Sequence, residues 1–394
     1  MKEEAVRQDN SSFQKERVLI LSACHFIHDI YSSFLAPLLP FIIEKFSLNL
    51  TQAGLLSTIM QIPALLNPVI GKLADRTSVR YFIILAPAMT AIPMSLLAMA
   101  PNYIVLLALL FVAGVSVSLF HVPAPVMVYR VSGGKTGRGM SFFMTGGELA
   151  RTLGPLAIIG AVSVLGFDGY YPVMIIGILA SLLMYFKFRD IPIISSSSEK
   201  PSIRRTMKEL KGILVPLAGI VIVRGFMHAS LTAFLPLYIM QETADVWLAG
   251  ISLSLFEAAG VVGILTIGTL SDRFGRRNML LFSLVIAPMS LLVFISSPAW
   301  LQFPALILTG LTLLSTTPVM LAMIQEATED GSSSANGLFM MISFLARSAV
   351  VVVVGFTADH IGLERTYILS AVLGLFGIPA ILMLPRRTAV PSAG

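Results

Sequence analysis

Apolar runs about the length of a bilayer crossing alternate with short polar segments along nearly the whole chain. A membrane-spanning helix needs about 20 mainly apolar residues. The pattern predicts twelve spans, near 17–43, 51–73, 80–100, 103–128, 140–165, 170–187, 212–240, 247–270, 278–297, 299–325, 336–358 and 364–384. Several carry proline (Pro63 and Pro68, Pro87 and Pro93, Pro123 and Pro125). Membrane helices tolerate it because neighbours satisfy the freed backbone groups. The one long polar stretch, Arg189 to Lys211, includes Ser195–Ser198 and several basic residues. It reads as a linker at 191–211 between six-helix bundles at 1–190 and 212–394. The fold class expected is an all-α membrane protein.

Composition agrees with that pattern. The chain is 56% hydrophobic and 12% charged, with a mean hydropathy of +0.86. A water-soluble domain carries about twice that share of charge, so most of this surface faces lipid. Met1–Arg17 is polar and lacks the apolar core of a leader; Val18–Ile43 is too long for one and is expected to be a retained span. The lone Cys24 excludes a disulfide within the chain.

A net charge of +6 would suit nucleic acid, but the basic residues sit in short loops between apolar runs, which excludes that partner. Of the 27 Lys and Arg, three (Arg151, Arg224 and Arg347) fall well inside spans, and two (Lys45 and Arg365) lie at span ends on one side of the membrane. The rest gather on the other side. That asymmetry places both termini in the cytoplasm and the chain in a cell inner membrane.

The two halves resemble each other at a shift of about 197 residues. Gly71-Lys-Leu-Ala-Asp75-Arg76 matches Gly268-Thr-Leu-Ser-Asp272-Arg273, Ala53-Gly54 matches Ala249-Gly250, and Leu149-Ala-Arg151 matches Leu345-Ala-Arg347. His28 and Phe34-Leu35 likewise match His228 and Phe234-Leu235. Repeated bundles rocking around a midplane site are how secondary transporters alternate access.

The Gly-x-Leu-x-Asp-Arg element resembles the signature loop of the major facilitator superfamily. The second copy is the closer match, continuing through Gly275 and Arg276; the first has Ser78 where the family usually has Gly. The resemblance implies the major facilitator fold, twelve helices in two pseudo-symmetric six-helix bundles. It marks Gly71, Asp75, Arg76, Gly268, Asp272, Arg273, Gly275 and Arg276 as gating-loop residues.

A second resemblance runs through Cys24-His25-Phe-Ile-His28-Asp29, Phe34 to Pro40, Phe120-His121-Val-Pro123, Arg130, Ser132-Gly-Gly134, Gly146-Gly147 and Leu153-Gly-Pro-Leu156. This series resembles the fosmidomycin-resistance branch of that superfamily, which implies proton-driven drug efflux. The chain departs from the branch's Phe-His-Pro-Glu where Val122 intervenes before Pro123 and Ala124 replaces the acid, and where His28 replaces Asn.

Ionisable side chains within a bilayer are costly and by default functional. Here they are Asp29, Glu148, Arg151, Arg224, Glu257 and Arg347, with His25, His28, His121 and His228. At roughly 100° per residue His25, His28 and Asp29 share one helical face, and Glu148 and Arg151 share another. By the resemblance, the spans that carry these residues line the central cavity.

Arg151, Arg224 and Arg347, with His228, Tyr31 and Phe34, are the expected substrate-binding set, because a guanidinium fork suits phosphate and carboxylate. Asp29, Glu148 and Glu257, with His25, His28 and His121, are the expected proton-coupling set. Asp29 is foremost, because it matches the branch's first-span acid. Burial disfavours an ionised carboxyl while a nearby Arg favours it, so a substrate that takes an Arg from its acid favours protonation of that acid. That competition is a route to antiport. The bland alternative is that each acid pairs with an Arg and holds helices together.

His25, His28, Asp29 and His228 are also suitable transition-metal donors, but without a dense Cys/His cluster no metal site is expected. No Walker loop is present for ATP and no Gly-x-Ser-x-Gly elbow, so the chain is not expected to be an enzyme or to hold a cofactor beyond a proton gradient. The function expected is proton-coupled efflux of a small, amphiphilic, anionic compound by a monomer in the lipid bilayer. Import of a small organic anion by symport is the alternative. A metal-ion transporter and a non-transporting receptor are more remote.

Overall fold

A computed structural model of the chain describes residues 13–67, 70, 80–190, 208, 210–327 and 333–384. Among them the secondary structure is helical. In chain order the helices are α1 (Lys15–Ser32), α2 (Leu35–Phe46), α3 (Leu50–Gln61), α4 (Arg80–Ser95), α5 (Tyr103–His121), α6 (Ala124–Ser132), α7 (Thr136–Leu165) and α8 (Met174–Phe188). They continue as α9 (Lys211–Thr243), α10 (Val246–Phe274), α11 (Arg276–Ser296), α12 (Ala299–Leu314), α13 (Thr316–Glu326), α14 (Ser333–Ile361), α15 (Leu363–Leu375) and α16 (Gly377–Met383).

Ten of these helices or consecutive helix pairs are long and apolar enough to cross a membrane. The shorter apolar stretch Leu50–Leu66 and α4 stand where the second and third spans are expected. The first gating loop (Gly71, Asp75, Arg76) and most of the expected linker lie outside the described residues.

Helix ends follow local chemistry. The Asn102 side chain accepts from Val105 N at 3.0 Å and starts α5. Asp245 accepts from Trp247 N and Leu248 N at 2.9 and 3.0 Å and starts α10. Such caps satisfy amides that have no partner inside the helix. Gly275, at φ +88°, supplies the left-handed turn between α10 and α11.

The fourth and tenth spans, expected as single helices, are each broken. Pro123 has no N–H to donate back to the preceding turn, and α5 ends at His121. Pro318 does the same to the carbonyl four residues earlier, and the break falls at Ser315, between α12 and α13.

The chain resolves into two compact units: Met1–Phe46 with Ile59–Ser198, and Ser47–Thr58 with Glu199–Gly394. Both show the same neighbour pattern. In the first, α1 packs on α7, and α4 on α5 and α8. In the second, α9 packs on α14, and α11 on α12 and α15. One apolar core of the first unit includes Leu21, Phe120, Met127 and Phe188; its counterpart in the second includes Leu217, Leu284, Met320 and Phe339. Ser47–Thr58 groups with the second unit, although the sequence pattern assigns it to the first bundle. There Asp359 caps α3, accepting from Leu50 N at 2.7 Å and Thr51 N at 2.8 Å.

Candidate functional site

In the first unit, helical spacing of three and four residues puts His25, His28 and Asp29 on one side of α1. The break after α5 presents His121 to the same place. His25 Nε2 stands 3.2 Å from Asp29 Oδ2, His121 Nε2 3.4 Å from Oδ1, and His28 Nε2 3.9 Å from Oδ1. The His28, His25 and Asp29 side chains are 0%, 4% and 10% exposed, while His121 is 40% exposed.

Two glycines of α7 make the close packing possible. A Cβ on Gly147 would lie 2.7 Å from His25 Cε1, and one on Gly146 2.4 Å from the Ser22 carbonyl oxygen. The rings are held by aromatic neighbours: His25 stacks on Phe143 with centroids 4.0 Å apart, and His28 lies 4.4 Å from Phe120.

The far side of each imidazole is anchored. His25 Nδ1 meets the Phe143 carbonyl at 2.7 Å, and His121 Nδ1 meets the Val117 carbonyl at 3.0 Å. His28 Nδ1 lies 3.1 Å from Thr90 Oγ1. Thr90 donates to Ser116 Oγ at 2.8 Å, which donates to the Ala86 carbonyl at 2.9 Å. The hydroxyl protons are therefore directed away from His28.

Glu148 and Arg151 pair with each other on α7, one helical turn apart. Tyr31 and Phe34, expected in the substrate set, are buried with their rings 5.0 Å apart, and Tyr31 donates to the Val173 carbonyl.

In the second unit a cavity opens among α9, α13 and α14. Val221, Arg224, Gly225 and His228 line it from α9, Thr317 and Met320 from α13, and Met340, Ser343, Phe344 and Arg347 from α14. It thus joins three of the residues singled out from the sequence. Arg224 is 5% exposed and is held by the break in the tenth span. Its Nη1 donates to the Leu313 carbonyl at 2.9 Å and to Thr316 Oγ1, and its Nη2 to Thr317 Oγ1 at 2.9 Å. Its Nε has no partner, nor does Ser343 Oγ. The Arg347 guanidinium lies over the Phe344 ring, 5.6 Å from the centroid.

Glu257 stands half-buried on α10 and is not among the cavity's lining residues. The sequence reading did not pick out Thr90, Thr316, Thr317 or Ser343, since isolated hydroxyls are common in apolar spans. The prolines at 123 and 318, which mark the breaks, were the available signal.

The second of the loops expected to gate folds as an ion-pair cluster at the start of α11. Arg276 pairs with Asp272 and with Glu326, the latter at 3.1 Å, and donates to Ser271. Arg273 is exposed beside them. Gly268 lies within α10.

The family model described as the Major Facilitator Superfamily matches residues 21–245 and 217–394. The chain belongs to this superfamily. Curated relatives of this superfamily member include the MFS-type transporter YfnC of Bacillus subtilis, 24% identical over 93% of this chain and 92% of that protein. The fosmidomycin resistance protein of Escherichia coli is 25% identical over the same shares. The multidrug resistance protein MdtG of Salmonella typhimurium is 27% identical over 66% of this chain and 68% of that protein.

Among solved structures, a bacterial homologue of the human lysosomal transporter Spinster aligns with a TM-score of 0.81 at 15% identity, covering 94% of this chain and 96% of that one. A D-xylose-proton symporter aligns with a TM-score of 0.75 at 14% identity, covering 94% and 97%. At these identities the structural likeness establishes the fold alone. The superfamily member is a multi-pass membrane protein, and the relatives are transporters rather than enzymes.

Proposed function

We propose that this superfamily member is a secondary transporter that exports a small, amphiphilic, anionic compound in exchange for protons. The observation that carries the reading is the cavity of the second unit. Two guanidinium groups and an imidazole line it, and no carboxylate does among the described residues. Ser343 Oγ and Arg224 Nε are buried without partners there. A donor-rich, cationic wall favours a ligand that offers only acceptors, which is the chemistry of an oxyanion. Met320, Met340 and Phe344 supply an adaptable apolar wall for the rest of an amphiphile.

The Glu148–Arg151 pair supports the reading of exchange against protons. An anion that competes for Arg151 takes away the charge partner of Glu148, and losing that partner favours proton uptake by the acid. The names of the relatives support efflux. The protein is expected to act as a monomer in the inner membrane with cytoplasmic termini, as the distribution of basic residues indicates.

The test is proton movement in proteoliposomes of right-side-out orientation. Fosmidomycin, the compound in one relative's name, heads the panel, followed by small carboxylates and phosphonates. A compound added outside is expected to drive protons out of the lumen. Acidification of the lumen would instead establish symport, the second reading. A chain that binds these compounds but moves no protons with any of them would refute coupling altogether.

A further inference from the structure

The imidazole cluster of the first unit is built like a metal site. His25 Nδ1 and His121 Nδ1 each face a backbone carbonyl, and a carbonyl oxygen only accepts. Each of those nitrogens therefore carries its ring's proton. His28 is constrained in the same sense. The Thr90 and Ser116 hydroxyls point in series toward the Ala86 carbonyl, so Thr90 is left to accept from His28 Nδ1.

While the three rings are neutral, then, Nε2 of each is a bare lone pair. All three lone pairs turn toward one carboxylate, which also offers only lone pairs. His25 Nε2, His28 Nε2 and Asp29 Oδ1 are buried and make no hydrogen bond. Such a convergence of acceptors, buried except at His121, calls for a positive charge at its centre. A ring nitrogen anchored to a carbonyl, with its other nitrogen aimed inward, is also the usual support for a metal-bound histidine.

We propose that His25, Asp29 and His121 bind a divalent transition-metal ion such as Zn²⁺ or Co²⁺, with His28 as a fourth donor. The donor atoms of the first three lie within 4.8 Å of one another. Two ligands about 2.0–2.1 Å from a zinc ion at a tetrahedral angle stand about 3.3 Å apart. His25 Nε2 lies 3.2 Å from Asp29 Oδ2 and His121 Nε2 lies 3.4 Å from Oδ1, separations of that size with each imidazole facing its own carboxylate oxygen. His28 Nε2 stands a little farther out, 3.9 Å from Oδ1.

Imidazole and carboxylate suit zinc, cobalt and nickel better than calcium or magnesium, which prefer all-oxygen shells. His121, the most exposed of the group, gives an ion its way in. The metal reading from sequence included His228, but that residue lines the cavity of the second unit. His121 supplies the third imidazole in its place. The site stands independently of the transported compound and of the direction of transport.

The test titrates Co²⁺ into tag-free protein in detergent and reads visible absorption. The expected result is one equivalent of Co²⁺ giving the intense bands of a four- or five-coordinate nitrogen-and-oxygen site, displaced by Zn²⁺. Asp29→Asn and His121→Ala are each expected to weaken binding at least about tenfold, while His360→Ala, an exposed histidine elsewhere, binds as wild type does. Circular dichroism confirms that each variant is folded, and the wild-type spectrum stands even where a variant is not. A spectrum that stays that of aqueous cobalt on folded wild-type protein would overturn the proposal. So would Asp29→Asn and His121→Ala variants that bind like the wild type. In either case the positive charge at the cluster belongs to protons on the imidazoles.

Discussion

Corresponding helices of the two units carry opposite charges. In the first unit, Asp29 on α1 meets His121 at the break between α5 and α6. In the second, Arg224 on α9 meets the Leu313 carbonyl, Thr316 and Thr317 at the break between α12 and α13. The frame is the same: a long first helix of the unit faces a fourth span interrupted at a proline. What differs is the side chain inserted and the groups gathered around it. The acid has collected imidazoles, and the guanidinium has collected a carbonyl and two hydroxyls at the helix break. A helix break in a membrane exposes backbone groups that must find partners. Whichever charge the opposing helix carries decides whether the result is a staple or a site.

Removing Arg224 should break the comparison most severely. In Arg224→Met the Leu313 carbonyl and two threonine hydroxyls lose a charged donor in a buried setting. The expected loss of stability is on the order of 3 kcal/mol. Thermal unfolding in detergent measures it, and an unchanged midpoint would mean that the break holds itself. Arg347, which lies over Phe344, is expected to behave differently. Arg347→Ala should weaken anionic compounds roughly tenfold, about 1.4 kcal/mol, and neutral analogues much less, as read by ligand-induced thermal shifts. Equal losses for both classes would make Arg347 a packing residue. The smallest effect is expected in the first unit. Thr90→Val removes the acceptor behind His28 at a cost of about 1 kcal/mol. It should loosen His28 without disturbing Arg224, and a loss as large as that of Arg224→Met would show that the hydroxyl relay is a structural pillar.

Much of this was legible in the sequence for a physical reason. Lipid imposes a length and an apolar composition on every span, so the helices announce themselves. Helical spacing was enough to place His25, His28 and Asp29 together, and Glu148 beside Arg151. The pairing of Glu148 with Arg151 lies within one helical turn. The repeat was visible because both copies keep the same residue types in the same order at one offset. Contacts between distant helices were not legible. Nothing in the spacing says that His121 joins Asp29 or that Arg224 reaches Leu313. Nor does it say that Ser47–Thr58 groups with the second unit, where Gly355 lets the Leu50 carbonyl approach and Asp359 caps α3. Nor does spacing separate His228, which lines the second unit's cavity, from the first-span donors it was weighed with.

The sequence by itself determined that this chain is a bundle of membrane helices in two related halves, with a small set of charges inside the lipid. Hydrophobicity and helical periodicity are local properties and can be read along the chain. Only the tertiary structure decided which charges meet. Packing brings helices together at points where a glycine allows approach and a proline frees a backbone group. Those encounters depend on residues tens to hundreds of positions apart, for which linear spacing carries no signal.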